Sequence, residues 1–456
     1  MIMVEKENNI FDNAKGLRQR LLQEYPSSSV DKEYPLSVAY FWPTKYCPIR
    51  CGHCMFTSPK PEDIDNRMIL NHAAVDNFIQ ISHQAKLDAL VVSGGGEPMT
   101  ELPTVLKLIR EAHYNYFEII TGAYWVANEK LAKDTLNQVQ QAITSRKQQG
   151  HDFNFSFRIS IDKYHQKVVK LEWLKRLVDI IRNDAMLEKE KRQYPDLKLF
   201  FRTLLVEDDT IEKFSELLGT KLGGMDNYVR ELQFDDEKAK SIKSLKVFYK
   251  DMRFVGRAKE GNAIKLMEFD QYFESYSDKN RDVRLGMTYL NPGSKGELLE
   301  GINVFITYEG QMMPYGGVAD VSANIYFESY EEFIVKLFGD VISRTLLLKG
   351  LNHIKRIAEE IDPQLQDRIR KKNWIASVAD ESLDTAEKRL YVSLRLLQEG
   401  IASGDLQIEK LPTYVRELVS KDPQDLKQEY LKHANRNPET EHRYANEGII
   451  IRQTKS

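Results

Sequence analysis

Cysteine is scarce in this chain: three occur among 456 residues, and none follows Cys54. Pairing them as disulfides would leave one over, and disulfide frameworks are typical of small secreted chains, which this chain is not. The first 14 residues are charged and polar and lack the apolar segment of a signal peptide. Together these features predict a protein of the reducing cytoplasm.

Long apolar runs and a large excess of one charge are also missing. No stretch of 18 or more apolar residues occurs, so the sequence predicts no membrane span. The net charge of −3 provides no electrostatic footprint for nucleic acid. With 42% apolar and 10% aromatic residues, the chain can bury a sizeable core, and disorder is not expected. Its length suits two or three domains, or one large barrel with an appendage.

The three cysteines follow the spacing C-x₃-C-x₂-C, as Cys47, Cys51 and Cys54. Three thiolates on one short loop can bind three irons of a cubane 4Fe-4S cluster, which leaves the fourth iron open to a small molecule. A structural zinc site needs four protein ligands, usually set as two spaced pairs. His53 lies between two of the cysteines and is poorly placed to be the fourth ligand. The spacing therefore favours a cluster and leaves zinc as the alternative.

Strands and helices are predicted to alternate from residue 36 onward. Apolar runs predict six strands, at 37–42, 87–92, 117–121, 153–161, 197–206 and 228–234. Helical periodicity predicts helices between them, at 71–85, 103–113, 127–147 and 171–182, with Asn71 as a cap. Such alternation indicates parallel βαβ units with right-handed crossovers, which would form a partial (β/α)₆ barrel. Ligands of parallel α/β folds bind at the carboxyl ends of the strands.

Polar groups follow two of these predicted strands. Three glycines at 94–96 and then Glu97 end the second strand, where a backbone without Cβ atoms can approach a ligand and a carboxylate can accept from an ammonium. Ser160 and Asp162 close the fourth strand and, two residues apart, point to the same face. The simpler interpretations are a tight turn with a surface glutamate for the first group and a helix cap for Asp162.

At these residues the sequence resembles the radical S-adenosylmethionine (SAM) superfamily. Its cluster loop reads C-x₃-C-x-φ-C, with φ usually aromatic or histidine, and here φ is His53. A Gly-Gly-Glu-Pro motif follows the loop, here ending at Pro98. The resemblance implies that Cys47, Cys51 and Cys54 bind a 4Fe-4S cluster. It also implies a set of residues that bind SAM: His53, Gly94, Gly95, Gly96, Glu97, Ser160, Asp162 and Arg202.

The resemblance further implies the chemistry. In this superfamily the open iron chelates the amino and carboxylate groups of SAM, and an electron from the cluster splits SAM into methionine and a 5′-deoxyadenosyl radical that abstracts a hydrogen from the substrate. The glycine-rich motif and its glutamate hold the amino group. Arg202 would pair with the SAM carboxylate if it faces inward, and would be solvated if it faces outward. The implied reductant is of the flavodoxin or ferredoxin type.

At three positions the sequence gives weaker evidence for a functional role. Thr121 stands where relatives have Thr-Asn-Gly, but the next residues here are Gly122 and Ala123, which weakens any role for it. His165 is interpreted as a structural or surface residue rather than a proton carrier. A predicted hairpin at 303–315 resembles that of the cluster-bearing SPASM domain, but Tyr315 replaces the expected cysteine. A second, all-cysteine cluster is therefore excluded.

The predicted domains are an N-terminal helical extension (1–35), a radical SAM partial barrel (36–260), a SPASM-like hairpin remnant without cluster (261–328) and a helical region (329–456). The extension is predicted as a helix at 13–24 capped by Asp12. Helical periodicity in the last region predicts helices at 330–338, 342–361 and 384–397, the last of them capped at Gly400. The charge-rich stretch at 421–444 is predicted to be a solvated face.

The number of cysteines limits the reactions that we expect of a substrate radical. All three are used by the cluster, so no cysteine remains to quench a substrate radical or to bind an auxiliary cluster. We therefore expect elimination, dehydration or oxidation of a natural-product intermediate such as a sugar, an aminocyclitol or a peptide. Two alternatives stay open: modification of a ribosomally made peptide whose leader is recognised by a separate protein, and a non-catalytic iron–sulfur or zinc redox sensor. The sequence does not indicate which residues are catalytic.

Overall fold

The computed structural model describes residues 9–24, 36–54, 56, 58–59, 68–205, 208–226, 228–235, 242–250, 288–290, 298–300, 302–314, 322–372 and 377–436. The predictions for Tyr315 and for residues 437–444 lie outside this part of the chain.

One open sheet of eleven strands organises the described chain. The strands in chain order are β1 (Leu36–Phe41), β2 (Ala89–Val92), β3 (Tyr116–Thr121), β4 (Asn154–Ser160), β5 (Leu199–Leu204), β6 (Thr220–Leu222), β7 (Val229–Phe234), β8 (Ser244–Lys250), β9 (Thr288–Leu290), β10 (Leu298–Glu300), β11 (Ile302–Ile306), β12 (Gln311–Pro314) and β13 (Ala323–Asn324). The order across the sheet is β13-β12-β11-β1-β2-β3-β4-β5-β8-β7-β6, and β9 pairs separately with β10. The strands from β11 to β8 in that order are parallel, and those outside them are antiparallel.

Helices connect the parallel strands and cover one face of the sheet. They are α2 (His72–Ala85), α3 (Leu102–Glu111), α4 (Glu129–Gln148), α5 (Leu171–Ala185) and α6 (Thr210–Leu218), whereas α1 (Ala14–Glu24) precedes β1 and packs elsewhere. Asn71 caps α2 as predicted, since its side chain accepts from the Ala74 N–H at 3.0 Å. The main core lies between this face and the helices, with Phe41, Phe117 and Phe201 fully buried. The α/β fold class of a partial barrel is thereby confirmed.

The sixth parallel position is occupied by a later strand than predicted. Residues 229–234 do form a strand, β7, but it is antiparallel and lies one place further out. β8 instead pairs with β5 in parallel. β8 buries both Leu245 and Val247 in the core, whereas β7 buries only Leu232. The strand with two apolar anchors therefore lies next to β5.

The predicted hairpin is formed by β11 and β12 and belongs to the same sheet as the barrel strands. Every residue of β11 is buried. β11 runs parallel to β1, with Phe41 opposite Ile306. Gly310 has a φ of +77° in the connecting turn, which favours glycine there. The hairpin thus adds a seventh parallel strand beside β1.

The C-terminal region is helical, with more and shorter helices than predicted. They are α7 (Tyr330–Gly339), α8 (Val341–Leu348), α9 (Leu351–Glu359), α10 (Leu365–Lys372), α11 (Ser377–Ser382), α12 (Ala386–Ala402), α13 (Thr413–Val419) and α14 (Pro423–Arg436). The single helix predicted at 342–361 is divided at Gly350, whose φ is +89°. α12 continues past Gly400. α14 buries Leu426 and Tyr430, so the segment predicted to be a solvated face also has a packed side.

The N-terminal helix packs into a second core made by these C-terminal helices. The predicted cap at Asp12 is wrong, because a 3₁₀ turn (Ile10–Asn13) precedes α1 and Asn9 caps that turn, accepting from the Phe11 N–H at 2.9 Å. Phe11 then lies edge-on to Tyr430, with ring centroids 5.2 Å apart. None of the described helices is long and apolar enough to cross a membrane.

A buried ion pair links α1 to the C-terminal helices, and it generates a prediction. Nη2 of Arg18 lies 2.5 Å from Oδ1 of Asp340, and both side chains are buried. Arg18→Met leaves a buried carboxylate without its cation, so we expect the free energy of unfolding to fall by about 3 kcal/mol. The free energy of unfolding is measured by urea titration, with circular dichroism as the signal. Lys15→Met, which removes an exposed charge from the same helix, is the control, and equal effects of the two substitutions would contradict the account.

Candidate active site

The cysteine loop and the glycine-rich loop are in direct backbone contact. The N–H of Glu97 donates to the carbonyl oxygen of Tyr46 at 2.6 Å. A Cβ at Gly96 would lie 2.1 Å from the same oxygen, so only glycine fits there. Gly95 has a φ of +76°, and its carbonyl accepts from the Ser58 hydroxyl at 3.1 Å. The loops after β1 and β2 therefore meet at the carboxyl edge of the sheet.

The three cysteines line one cavity of about 230 Å³ at this edge. Cys47 and Cys51 are buried and Cys54 is half-buried. The Phe56 N–H donates to the Cys54 sulfur at 3.3 Å, and hydrogen bonds of this kind to sulfur tune iron–sulfur sites. The donor set of three converging sulfurs fits a cluster with one iron left open.

The raised pKa values of the buried thiols also indicate a metal site. Burial raises the pKa of Cys47 to about 12. A hydrogen bond with Cys54, and then burial, raises the pKa of Cys51. Both thiols are therefore neutral at pH 7 in the absence of iron, and a bound cation is required to hold them as thiolates.

Glu97 connects the glycine-rich loop to the end of β3. Its carboxylate accepts from the Thr121 hydroxyl at 2.6 Å and from the Gly122 N–H at 2.9 Å. Burial raises the pKa of Glu97, and these hydrogen bonds oppose that shift. The departure from Thr-Asn-Gly suggested a weakened role for Thr121, but the structure shows that Thr121 orients this carboxylate.

Asp162 connects the end of β4 to the cluster loop. It caps the following turn, as one of its two interpretations predicts, by accepting from the N–H groups of Tyr164 and His165 at 2.9 and 3.0 Å. Its other oxygen lies 2.7 Å from Nδ1 of His165 and 3.7 Å from Nε2 of His53. Burial would raise the pKa of Asp162, but His165 and then His53 lower it. His165 is therefore part of the site and not an isolated residue.

Most of the residues predicted to bind SAM line the same cavity as the cysteines. These are His53, Gly94, Gly96, Glu97, Ser160, Asp162 and Arg202. Gly95 is buried behind them. Arg202 faces inward beside Ser160, its register partner on β4.

Some residues of the site were not singled out by sequence reasoning. Phe56 and Lys250 line the cavity, and no local pattern marks either of them. A ring nitrogen of His53 and one of His165 each lie within 4.8 Å of the Cys51 sulfur. The Asp-x-x-His spacing of Asp162 and His165 was the one local signal that could have connected those two residues.

Comparison with known proteins identifies the class of site. Residues 37–161 match the family model described as a 4Fe-4S single cluster domain. This segment contains all three cysteines and the glycine-rich motif, so it is a domain that binds one 4Fe-4S cluster. Together with those two motifs, which the cavity brings into contact, the match supports the resemblance of this segment to the radical SAM superfamily.

Solved structures resemble this chain only remotely. Native anSMEcpe with bound AdoMet has 10% identity, covers 68% of this chain and 84% of its own, and has a TM-score of 0.39. The complex with AdoMet and the Kp18Cys peptide has 10% identity, coverages of 65% and 80%, and a TM-score of 0.36. That with the Cp18Cys peptide has 13% identity, coverages of 68% and 83%, and a TM-score of 0.37. No curated protein matches the sequence.

The burial of the thiols generates a prediction for the iron-free protein. Because Cys47 has a pKa near 12, its thiolate fraction at pH 7 is roughly a thousandfold below that of a free cysteine. We expect iodoacetamide to label Cys54, the half-buried cysteine, well before Cys47 and Cys51, as read by mass spectrometry of the peptides. In urea all three should react alike. Labelling of Cys47 as fast as Cys54 in the folded protein would contradict the geometry.

Proposed function

We propose that the protein is an enzyme that reductively cleaves SAM at its single 4Fe-4S cluster and uses the resulting 5′-deoxyadenosyl radical to take a hydrogen from a natural-product substrate. Elimination, dehydration or oxidation of that substrate then follows. The observation that supports the proposal is the convergence of three thiols, the glycine-rich loop and Arg202 in one cavity.

Different residues of the cavity would bind the cluster and the amino group of SAM. Cys47, Cys51 and Cys54 would hold three irons. The backbone at Gly96 and the carboxylate of Glu97 would receive the amino group of SAM. When bound, the cluster supplies the electron that breaks the sulfonium bond of SAM. Because Thr121 and Gly122 already hold the Glu97 carboxylate, the orientation of the amino-group site is set before the cofactor arrives.

The opposite wall of the cavity would receive the rest of SAM. Arg202, which faces inward, would pair with the carboxylate of SAM, and Ser160 beside it would hydrogen-bond to the cofactor. Ile49, Ile120 and Leu204 supply apolar lining. An apolar wall limits water and protects a reactive carbon radical from side reactions.

The fate of the substrate radical is constrained by the cysteine count. No cysteine follows Cys54, so neither a spare thiol donor nor an all-cysteine auxiliary cluster is present in the chain. A reaction of the lyase, dehydratase or dehydrogenase type therefore suits this site best. In it the substrate radical would either eliminate or lose an electron, which the single cluster, left oxidised by SAM cleavage, would accept.

SAM cleavage tests the proposal directly. Protein reconstituted with iron and sulfide without oxygen, then given dithionite and SAM, is expected to form 5′-deoxyadenosine. Alanine at Cys47, Cys51 or Cys54 should remove the brown chromophore or the product, because each sulfur holds one iron. Metal analysis of the anaerobically purified protein is the control. Stoichiometric zinc, or full activity in a cysteine variant, would contradict the proposal.

The role of Glu97 generates a separate prediction. Glu97→Ala should weaken SAM binding roughly tenfold while iron content is kept, because a charge-assisted hydrogen bond contributes about 1.5–3 kcal/mol. Glu97→Gln, whose amide oxygen can still accept from the Gly122 N–H while its NH₂ group donates to the Thr121 hydroxyl, separates loss of charge from loss of loop structure. Equilibrium dialysis of SAM measures the affinity, and Glu101→Ala, four residues along the same loop, is the control. Unchanged SAM affinity in Glu97→Ala would refute this role.

A further inference from the structure

The charged residues of the cavity are divided between its two sides. Apart from the histidines, the lining contains two carboxylates, Glu97 and Asp162, which follow β2 and β4. It also contains two cations, Arg202 on β5 and Lys250 at the end of β8. Neighbouring strands are about 4.8 Å apart, so β8, three places beyond β3 in the sheet, lies on the far side of the cavity from Glu97.

The two carboxylates are held by residues on their own side of the cavity. Glu97 accepts from Thr121 and Gly122, and Asp162 accepts from His165. One layer deeper on β4, Arg158 forms an ion pair with Glu118 of β3. The cavity therefore has an acidic side formed by the loops after β2 and β4 and a cationic side formed by β5 and β8.

Lys250 extends the cationic side beyond Arg202. In the sheet register Arg202 lies opposite Phe248, and Leu204 lies opposite Lys250. Lys250 is thus two residues nearer the carboxyl edge, on the same face as Phe248. Its carbonyl accepts from the Leu205 N–H at 2.8 Å, which fixes the base of its side chain.

SAM has one carboxylate, and under the proposed function Arg202 receives it. Lys250 lies further from the loops that would hold the amino group, so it borders the part of the cavity that the substrate would enter. We propose that Lys250 binds an anionic group of the substrate, a carboxylate or a phosphate. This inference rests on the proposed function. It orients the substrate with its anionic end at β8 and its reacting carbon towards the cluster loop.

Anion binding in matched lysine variants tests the inference. Inorganic phosphate and acetate are titrated separately into cluster-loaded, SAM-bound protein by calorimetry. We expect saturable binding that Lys250→Met weakens roughly tenfold, since a hydrogen bond to a charged group contributes about 1.5–3 kcal/mol, and that Lys250→Arg restores. Lys246→Met, an exposed lysine on the same strand, should change nothing. The better of the two probes identifies the anionic group.

The outcomes separate this inference from the proposed function. No saturable binding of either anion, or equal effects at Lys250 and Lys246, overturns the inference while leaving SAM cleavage intact. Loss of SAM affinity in Lys250→Met, with phosphate binding unchanged, also overturns it, because the lysine would then serve the cofactor. If the wild-type protein fails to bind SAM, the proposed function fails, and the same titration without SAM still tests whether Lys250 binds an anion.

Discussion

A backbone hydrogen bond from the Glu97 amide to the Tyr46 carbonyl joins the two loops of the active site. Because any side chain at Gly96 would collide with that carbonyl, the contact is possible only for glycine. Tyr46 immediately precedes Cys47, so the bond sets the distance between the first cluster sulfur and the Glu97 carboxylate. Parallel pairing of β1 with β2 brings both loops to one edge of the sheet.

Two buried carboxylates extend this arrangement across the sheet. Glu97 connects β2 to β3 through Thr121, and Asp162 connects β4 to the cluster loop through His165 and His53. Each carboxylate joins two loops at the carboxyl edge of the sheet. The walls of the cavity are consequently preorganised, which is how a protein positions a reactive cofactor without doing the chemistry itself.

The parts of the fold that depend on local pattern were predictable from the sequence, and those that depend on cross-strand contact were not. β1 to β5 are buried parallel strands, which appear in sequence as short apolar runs between turn residues. The order of β7 and β8 was not predictable, because both segments have strand character and only their packing distinguishes them. Spacing and motif singled out the cysteines and Glu97, and the structure brings them to one cavity. The contact of Thr121 with Glu97 and the place of Lys250 in the cavity lining were not predictable, because each depends on residues far away in sequence.

The central claim is that three cysteines hold a cluster whose fourth iron is open to SAM, and Mössbauer spectroscopy of ⁵⁷Fe-reconstituted protein tests it most directly. The account predicts that adding SAM changes the isomer shift of one iron in four and leaves the other three unchanged. Four irons that are all indifferent to SAM, in a protein that retains Cys47, Cys51 and Cys54, would contradict it.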